Sequence, residues 1–206
     1  MGKILRVDLT NRDVWEEELS YEIASNFIGG RGLNAYLIYK ETDPRINPLS
    51  EENSLYFTTG PFTGTEFPGS GRIAISSKSP LTNTIFDSSM GGYFGAYLKS
   101  VGYDAIIVRG KANEPTYLLI EEGRAKLFNA DDLWGRNTTE VEEKLKKLYP
   151  QSSIAEIGPA GENLCHIAGI FSGTRTAGRG GLGAVMGSKK LKAIAVSGSK
   201  EIRPYN

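Results

Sequence analysis

A nineteen-residue stretch of this 206-residue chain recurs with eight identities, and a duplication behind it would restrict the fold to architectures built from two like halves. Gly92–Gly110 (GYFGAYLKSVGYDAIIVRG) lies over Gly180–Gly198 at a constant offset of 88 residues. The matched pairs are Gly92/Gly180, Gly95/Gly183, Ala96/Ala184, Ser100/Ser188, Ala105/Ala193, Ile106/Ile194, Val108/Val196 and Gly110/Gly198. Chance gives roughly two identities for such a composition. A fainter echo, Gly60-Pro61 against Gly158-Pro159, sits at a different offset and requires an insertion in one copy, so the repeat runs over about 60–110 and 158–198. Glycine accounts for much of it: the chain has 25, where an average usage of about 7% predicts roughly 14. Two Gly-rich loops feeding two Ala/Ile/Val strands would look alike without duplication, and that reading stands beside the first.

The opening KILRVDLTNRDVWEEEL alternates apolar and polar residues around Thr10-Asn11-Arg12-Asp13, the signature of a hairpin. Ser20 caps a helical stretch to Tyr39 that Gly29-Gly30-Arg31-Gly32 must divide into two pieces. Strands are expected over 54–59, 71–77, 104–109, 116–121, 154–157 and 193–197. A helix is expected over 137–148, with Thr138 or Thr139 near its cap and Pro150 beyond its end. Strands outnumber helices and many gaps are too short for helical crossovers. The expected fold class is therefore α+β with mostly antiparallel pairing, in one domain over 1–206.

Lys plus Arg number 24 and Asp plus Glu number 24, so no basic excess points to nucleic acid or a membrane surface. No apolar run approaches a membrane span and no cleavable leader opens the chain, so a cytoplasmic protein is expected. One cysteine, Cys165, excludes an internal disulfide and a thiolate metal site, and one histidine, His166, excludes a His-rich site.

The glycine clusters carry the candidate chemistry. Consecutive glycines let backbone N–H groups approach an anion without a Cβ in the way. The second-copy loop Thr174–Gly181 adds Arg175 and Arg179, which suits a phosphate or pyrophosphate. The first-copy loop Asp87–Gly92 has hydroxyls instead, and Arg72 of Gly69-Ser70-Gly71-Arg72 can supply its cation. Sharp turns with solvated arginines would produce the same spacing.

Other patterns are weaker. Gly178–Gly183 satisfies G-x-G-x-x-G, but about nine residues before the strand at Ala193 leave little room for a crossover helix. GAVMGSKK departs from a P-loop in the position of its lysine. Adjacent Cys165 and His166 would point to opposite faces of an extended segment, and Asp43, Glu51, Glu52, Asp131 and Asp132 read as solvated turns.

The ordered segments GRGLNAYLIYKETDP, GPFTGT, GSGRIAISSKSPLT, SSMGGYFGAYLKSVGYDAIIVRGKA, IGPAGENL and TAGRGGLGAVMGSKKLKAIAV together resemble the N-terminal domain of the aldehyde ferredoxin oxidoreductases, over Lys3 to Ile202. That family holds tungsten, sometimes molybdenum, between two pterins. The resemblance implies two related antiparallel sheets about a pseudo-two-fold, with a few short helices, forming a saddle-like base for the cofactor. It also implies oxidation of an aldehyde to a carboxylic acid, with electrons passed through a 4Fe-4S cluster to ferredoxin. The family's cluster cysteines lie in later helical domains. The one cysteine here matches none of them, so the chain resembles the pterin-binding third of the enzyme, without its cluster-binding domains.

Carried over residue by residue, the resemblance makes Arg72 the guanidinium that bridges a pterin and the cluster. Ser89 and Gly91, with Gly92 beside them, fall at the first phosphate loop, and Arg175, Thr176 and Gly178 at the second. The family's magnesium ion, which joins the two pterin phosphates, takes backbone carbonyls at the positions of Ser89 and Thr176. Both depart from the family's residues, Asn and Ala, a change that a carbonyl ligand tolerates. No catalytic side chain is expected within the chain. The implied partners are the enzyme's own downstream domains, ferredoxin, an aldehyde and a second copy in a homodimer, with no nucleic acid or membrane. A free-standing phosphate or dinucleotide module and a cofactor-free assembly domain are the alternatives.

Overall fold

The structure, a computed structural model, describes residues 2–198 and 201–202. The first sheet contains β1 (Lys3–Asp8), β2 (Asp13–Glu18), β3 (Leu55–Thr59), β4 (Ile73–Lys78), β5 (Ile85–Met90) and β6 (Ala105–Arg109), in the order 2-1-6-3-4-5. The second contains β7 (Thr116–Glu121), β8 (Arg124–Asn129), β9 (Ser152–Glu156), β10 (Ile170–Ser172), β11 (Arg175–Ala177) and β12 (Leu191–Ser197), in the order 8-7-12-9-10-11. Adding six to each label of the first sheet gives the second. The duplication therefore spans 3–109 and 116–197, well beyond the stretch visible as sequence identity.

Each sheet has one parallel pair, β1–β6 and β7–β12, at equivalent places, and its other pairs are antiparallel. The opening hairpin forms where alternation places it, with Val7 opposite Val14. Its second-half counterpart turns on only Glu122 and Gly123, both at positive φ, which hides the equivalence from a fixed-offset comparison. The insertion that separates the Gly60-Pro61 echo from the repeat lies in the β4–β5 hairpin, which occupies 73–90 while β10–β11 occupies 170–177.

The helices are α1 (Tyr21–Phe27), α2 (Gly30–Glu41), α3 (Phe94–Ser100), α4 (Thr138–Leu148), α5 (Pro159–Glu162) and α6 (Leu182–Ser188). The glycine break falls between α1 and α2, and Ser20 accepts from the Ile23 N–H as a cap. In α4 the cap is Asn137 rather than Thr138 or Thr139. Its side chain and that of Glu140 exchange hydrogen bonds with each other's backbone N–H, since Asn offers a carbonyl at the right reach.

α3 and α6 lie 88 residues apart, and each packs on strands of both sheets. Neither has a strong helical pattern: α6 is buried along its whole length, so its apolar residues show no face, and tertiary packing overrides its glycines. α6 fits in the space before Ala193 that seemed too short for a helix. It joins β11 to β12, which are not neighbours, so it is no crossover of a βαβ unit.

The central core draws Leu5, Phe57, Ile75 and Ile106 from the first sheet and Leu118, Ala155, Ile194 and Val196 from the second, with Phe94, Leu98, Val185 and Met186 from the two helices. α2 covers the outside of the first sheet through Leu33, Leu37 and Ile38, with Ile23, Ala24 and Phe27 of α1 packed against that cluster, and α4 covers the second through Val141 and Leu145. Each fully buried aliphatic side chain contributes about 1.5–3 kcal/mol. Among the described residues no helix is long and apolar enough to cross a membrane.

Candidate functional site

The outermost strands of the two sheets, β5 and β11, lie against each other. Ser89 and Thr176 are the penultimate residues of these strands. The residues after them, Met90 and Ala177, point into the core, so strand alternation turns Ser89 and Thr176 away from it. Ser89, expected in a loop, therefore sits in a strand, and so do Arg175 and Thr176. Their short, polar edge sequences carry no run of apolar alternation to mark them.

Beyond each strand the chain turns on glycines into α3 or α6. Gly92, Gly180 and Gly181 have φ of +89°, +75° and +68°, a region that other residues enter only with strain. The two turns are held by the opposite halves. A Cβ on Gly92 would lie 3.2 Å from Arg175 Cγ, and one on Gly91 3.9 Å from Arg175 Cδ, so the arginine stem crosses over the first-half turn. In return, buried Ser79 donates its hydroxyl hydrogen to the Gly180 carbonyl at 2.6 Å, and the Phe86 ring lies against Gly180. Both groups belong to the longer first-half hairpin.

The Arg72 loop joins the same cluster. A Cβ on Gly71 would meet the Gly92 carbonyl oxygen at 2.6 Å, so only glycine lets that loop abut the first turn. Gly178 is exposed, with Thr176 its nearest neighbour beyond the adjoining residues. Arg72, Ser89, Gly91, Gly92, Arg175, Thr176 and Gly178 thus converge from both halves. Sequence motifs reveal Gly71, but Ser79 and Phe86 act across the repeat and carry no local signal.

The charge of the site is positive. The side chains of Arg72, Arg175 and Arg179 are exposed and make no hydrogen bond or ion pair with other described residues. The nearby acid on β5, Asp87, is already engaged by Arg31 Nε at 2.9 Å and by the Ser76 hydroxyl at 3.0 Å. Unpaired guanidinium groups beside glycine-rich backbone suit a phosphate-bearing ligand. Among the described residues no cluster of three or more His, Cys, Asp or Glu side chains exists for a metal. A hard cation would have to use main-chain carbonyls and the ligand's own oxygens. Cys165, Asp43, Glu51, Glu52, Asp131 and Asp132 are exposed and take no part in these contacts; His166 is exposed too, but its carbonyl abuts Gly181 of the second turn.

This is an α+β scaffold of two like halves whose junction carries glycine turns and unpaired arginine side chains. The chain belongs to the family described as aldehyde ferredoxin oxidoreductase, N-terminal domain, whose model matches residues 4–198. It is 49% identical to the tungsten-containing aldehyde ferredoxin oxidoreductase of Pyrococcus furiosus over 98% of this chain and 34% of the relative. It is 41% identical to the aliphatic sulfonate oxidoreductase, WOR-like subunit, of the same organism, over 96% of this chain and 34% of the relative. Among solved structures, a chain of the active site complex BamBC of benzoyl coenzyme A reductase, in complex with 1,5-dienoyl-CoA, matches at a TM-score of 0.96 and 39% identity, covering 98% of this chain and 31% of that one. The chain thus spans about a third of the length of these relatives.

Proposed function

We propose that this chain forms the cofactor base of an aldehyde:ferredoxin oxidoreductase holding tungsten, or molybdenum, between two pterins. The observation that carries this reading is the crossing of the two glycine turns, with Arg175 of one half over Gly91 and Gly92 of the other and three unpaired guanidinium groups around them. Two phosphates brought together from the two halves would find backbone N–H groups on Gly91, Gly92 and Gly178 and charge on Arg175.

The Ser89 and Thr176 carbonyls, on abutting strand ends, would serve a magnesium ion between those phosphates. Arg72 would donate to a pterin on one side and, with its remaining N–H groups, toward a 4Fe-4S cluster held in the rest of the full-length enzyme. The bound metal would supply the two-electron oxidation of an aldehyde to a carboxylic acid. The chain's own residues bind and orient, and none is assigned a proton transfer.

Substrate choice lies outside this domain in our reading. Relatives named for sulfonates and for benzoyl-CoA share it at 41% and 39% identity. Ferredoxin, the remaining domains of the enzyme and a second copy are the proposed partners, in the cytoplasm. The test is to purify the full-length enzyme and measure tungsten, molybdenum and pterin alongside aldehyde-dependent reduction of ferredoxin. Two pterins per metal with activity are expected, and a folded enzyme with neither metal nor pterin would contradict the proposal. An extracted adenine dinucleotide would instead favour a nucleotide module.

A further inference from the structure

Arg72 lies on an exposed loop and is unpaired among the described residues, yet a side chain that must serve two neighbours at once needs a fixed backbone beneath it. The structure supplies one anchor. Thr63 is 2% exposed. Its hydroxyl accepts from the Gly60 N–H at 2.9 Å and donates to the Arg72 carbonyl at 3.3 Å. Its methyl group packs at the start of α3, where a Cβ on Gly95 would be 3.0 Å from Thr63 Cγ2. One side chain thus ties together the end of β3, the backbone of Arg72 and the helix that follows the first glycine turn.

The second half shows that this tie is an addition to the fold rather than part of it. The turn from Gly60 to Thr63 recurs as Gly158 to Gly161, each closed by an N–H to carbonyl bond between its ends. The residue at the place of Thr63 is therefore Gly161. Arg72 immediately precedes β4, and the residue that immediately precedes β10 is Gly169. Both members of the pair are glycines in the second half. There Gly161 packs against the backbone of Gly183, the repeat partner of Gly95, and Gly169 against Thr176 and Gly178. The scaffold closes without a hydroxyl at this place, and the hydroxyl occurs in the half that carries the arginine.

We propose that Thr63 is the positioning residue for Arg72, fixing the backbone from which the guanidinium extends beside the first glycine turn. This rests on the proposed role of Arg72 at the cofactor. The test uses the full-length holoenzyme with Thr63→Val, which removes the hydroxyl and keeps the shape, and Thr63→Ser, which keeps the hydroxyl. Phenylglyoxal labelling of Arg72, read by peptide mass spectrometry against Arg124 in the same sample, reports the local fixing of the loop. Pterin content after gel filtration reports the consequence.

Thr63→Val is expected to label Arg72 about fivefold faster, the effect of losing one neutral hydrogen bond, and to lose pterin, while Thr63→Ser stays near wild type on both. Equal labelling in wild type and Thr63→Val overturns the proposal, as does equal impairment by Val and Ser, which would make the contact one of packing alone. If Thr63→Val does not fold, Thr63→Ser against Thr63→Ala makes the same comparison. Arg72→Ala separates the two claims: full pterin content in that variant would withdraw the role of Arg72, and the labelling comparison would still decide that of Thr63.

Discussion

The two halves share a strand order, yet they treat equivalent buried positions in opposite ways. Residue 99 in the first half is a lysine whose Nζ lies 2.7 Å from Asp104, with side chains 3% and 10% exposed. Its equivalent in α6 is Gly187, which packs directly on the Gly161 carbonyl. Asp104 corresponds to Lys192, which pairs with Glu162 and the Arg136 carbonyl, so the buried charge is reversed in sign. Thr58, which gives its hydroxyl hydrogen to the Gly30 carbonyl at 2.8 Å, faces Ala105 as Glu156 faces Ala193. The backbone pattern is what the duplication keeps. Each half then fills these places differently: the first with the hydrogen-bonded side chains of Lys99, Asp104 and Thr58, the second with glycine-to-backbone packing at Gly187, the Lys192–Glu162 pair and the carboxyl of Glu156.

Breaking the side-chain solution should cost most. Lys99→Met strands the Asp104 carboxylate, and a loss of about 3–5 kcal/mol is expected in denaturant unfolding near pH 7. Burial pushes the Asp104 pKa up, but the hydrogen bond and charge of Lys99 and the N–H groups of Gly2 and Lys3 outweigh it and leave it below the ordinary value. A carboxylate with a lowered folded pKa contributes stability above its unfolded value, and that contribution is lost as pH falls through the folded one. The penalty of Lys99→Met should therefore shrink below about pH 4. Gly187→Ala tests the other half: its new Cβ meets the Gly161 backbone, and a loss of about 3 kcal/mol is expected from the overpacking.

Glu156 sharpens the comparison with opposite sign. It is fully buried, both its oxygens lack hydrogen-bond partners, and burial with the nearby charge of Glu142 raises its pKa to about 9 against the lesser pull of Lys146 and Lys192. Because the folded value is the higher one, stability is full below the unfolded pKa and falls as pH rises toward 9. Glu156→Gln should remove this slope and gain on the order of 2 kcal/mol at pH 8, as thermal melts across pH would show. The smallest effect is at α4, where Asn137→Ala should cost about 1 kcal/mol through the lost capping box.

Much of this was legible in the residues. Glycine identities at an offset of 88 mark α3, α6 and the start of their strands, because a close backbone approach admits nothing larger. The first strands of each half pair equivalently although Leu5 and Leu118 are their one identity, because an apolar strand of either pattern, alternating in β1 and continuous in β7, fills the place. β5, β8, β10 and β11 escaped: β5, β8 and β11 are half-exposed sheet edges rich in polar residues, β10 is only three residues long, and the helical state of Gly95–Ser100 depends on packing from both sheets. The site residues were visible as motifs. Their crossing, with Arg175 over the other half's glycines, was not, because it depends on how β5 and β11 meet in three dimensions.

That crossing can be broken by a single substitution. Gly92→Val places a branched side chain at φ +89°, against the stem of Arg175, without altering any proposed ligand of the second half. In the full-length enzyme, with the fold checked by circular dichroism, metal and pterin should fall together, and both pterins should be lost in step. A folded variant that keeps two pterins per metal at wild-type content, or that loses one pterin and retains the other, would contradict a cradle shared between the halves.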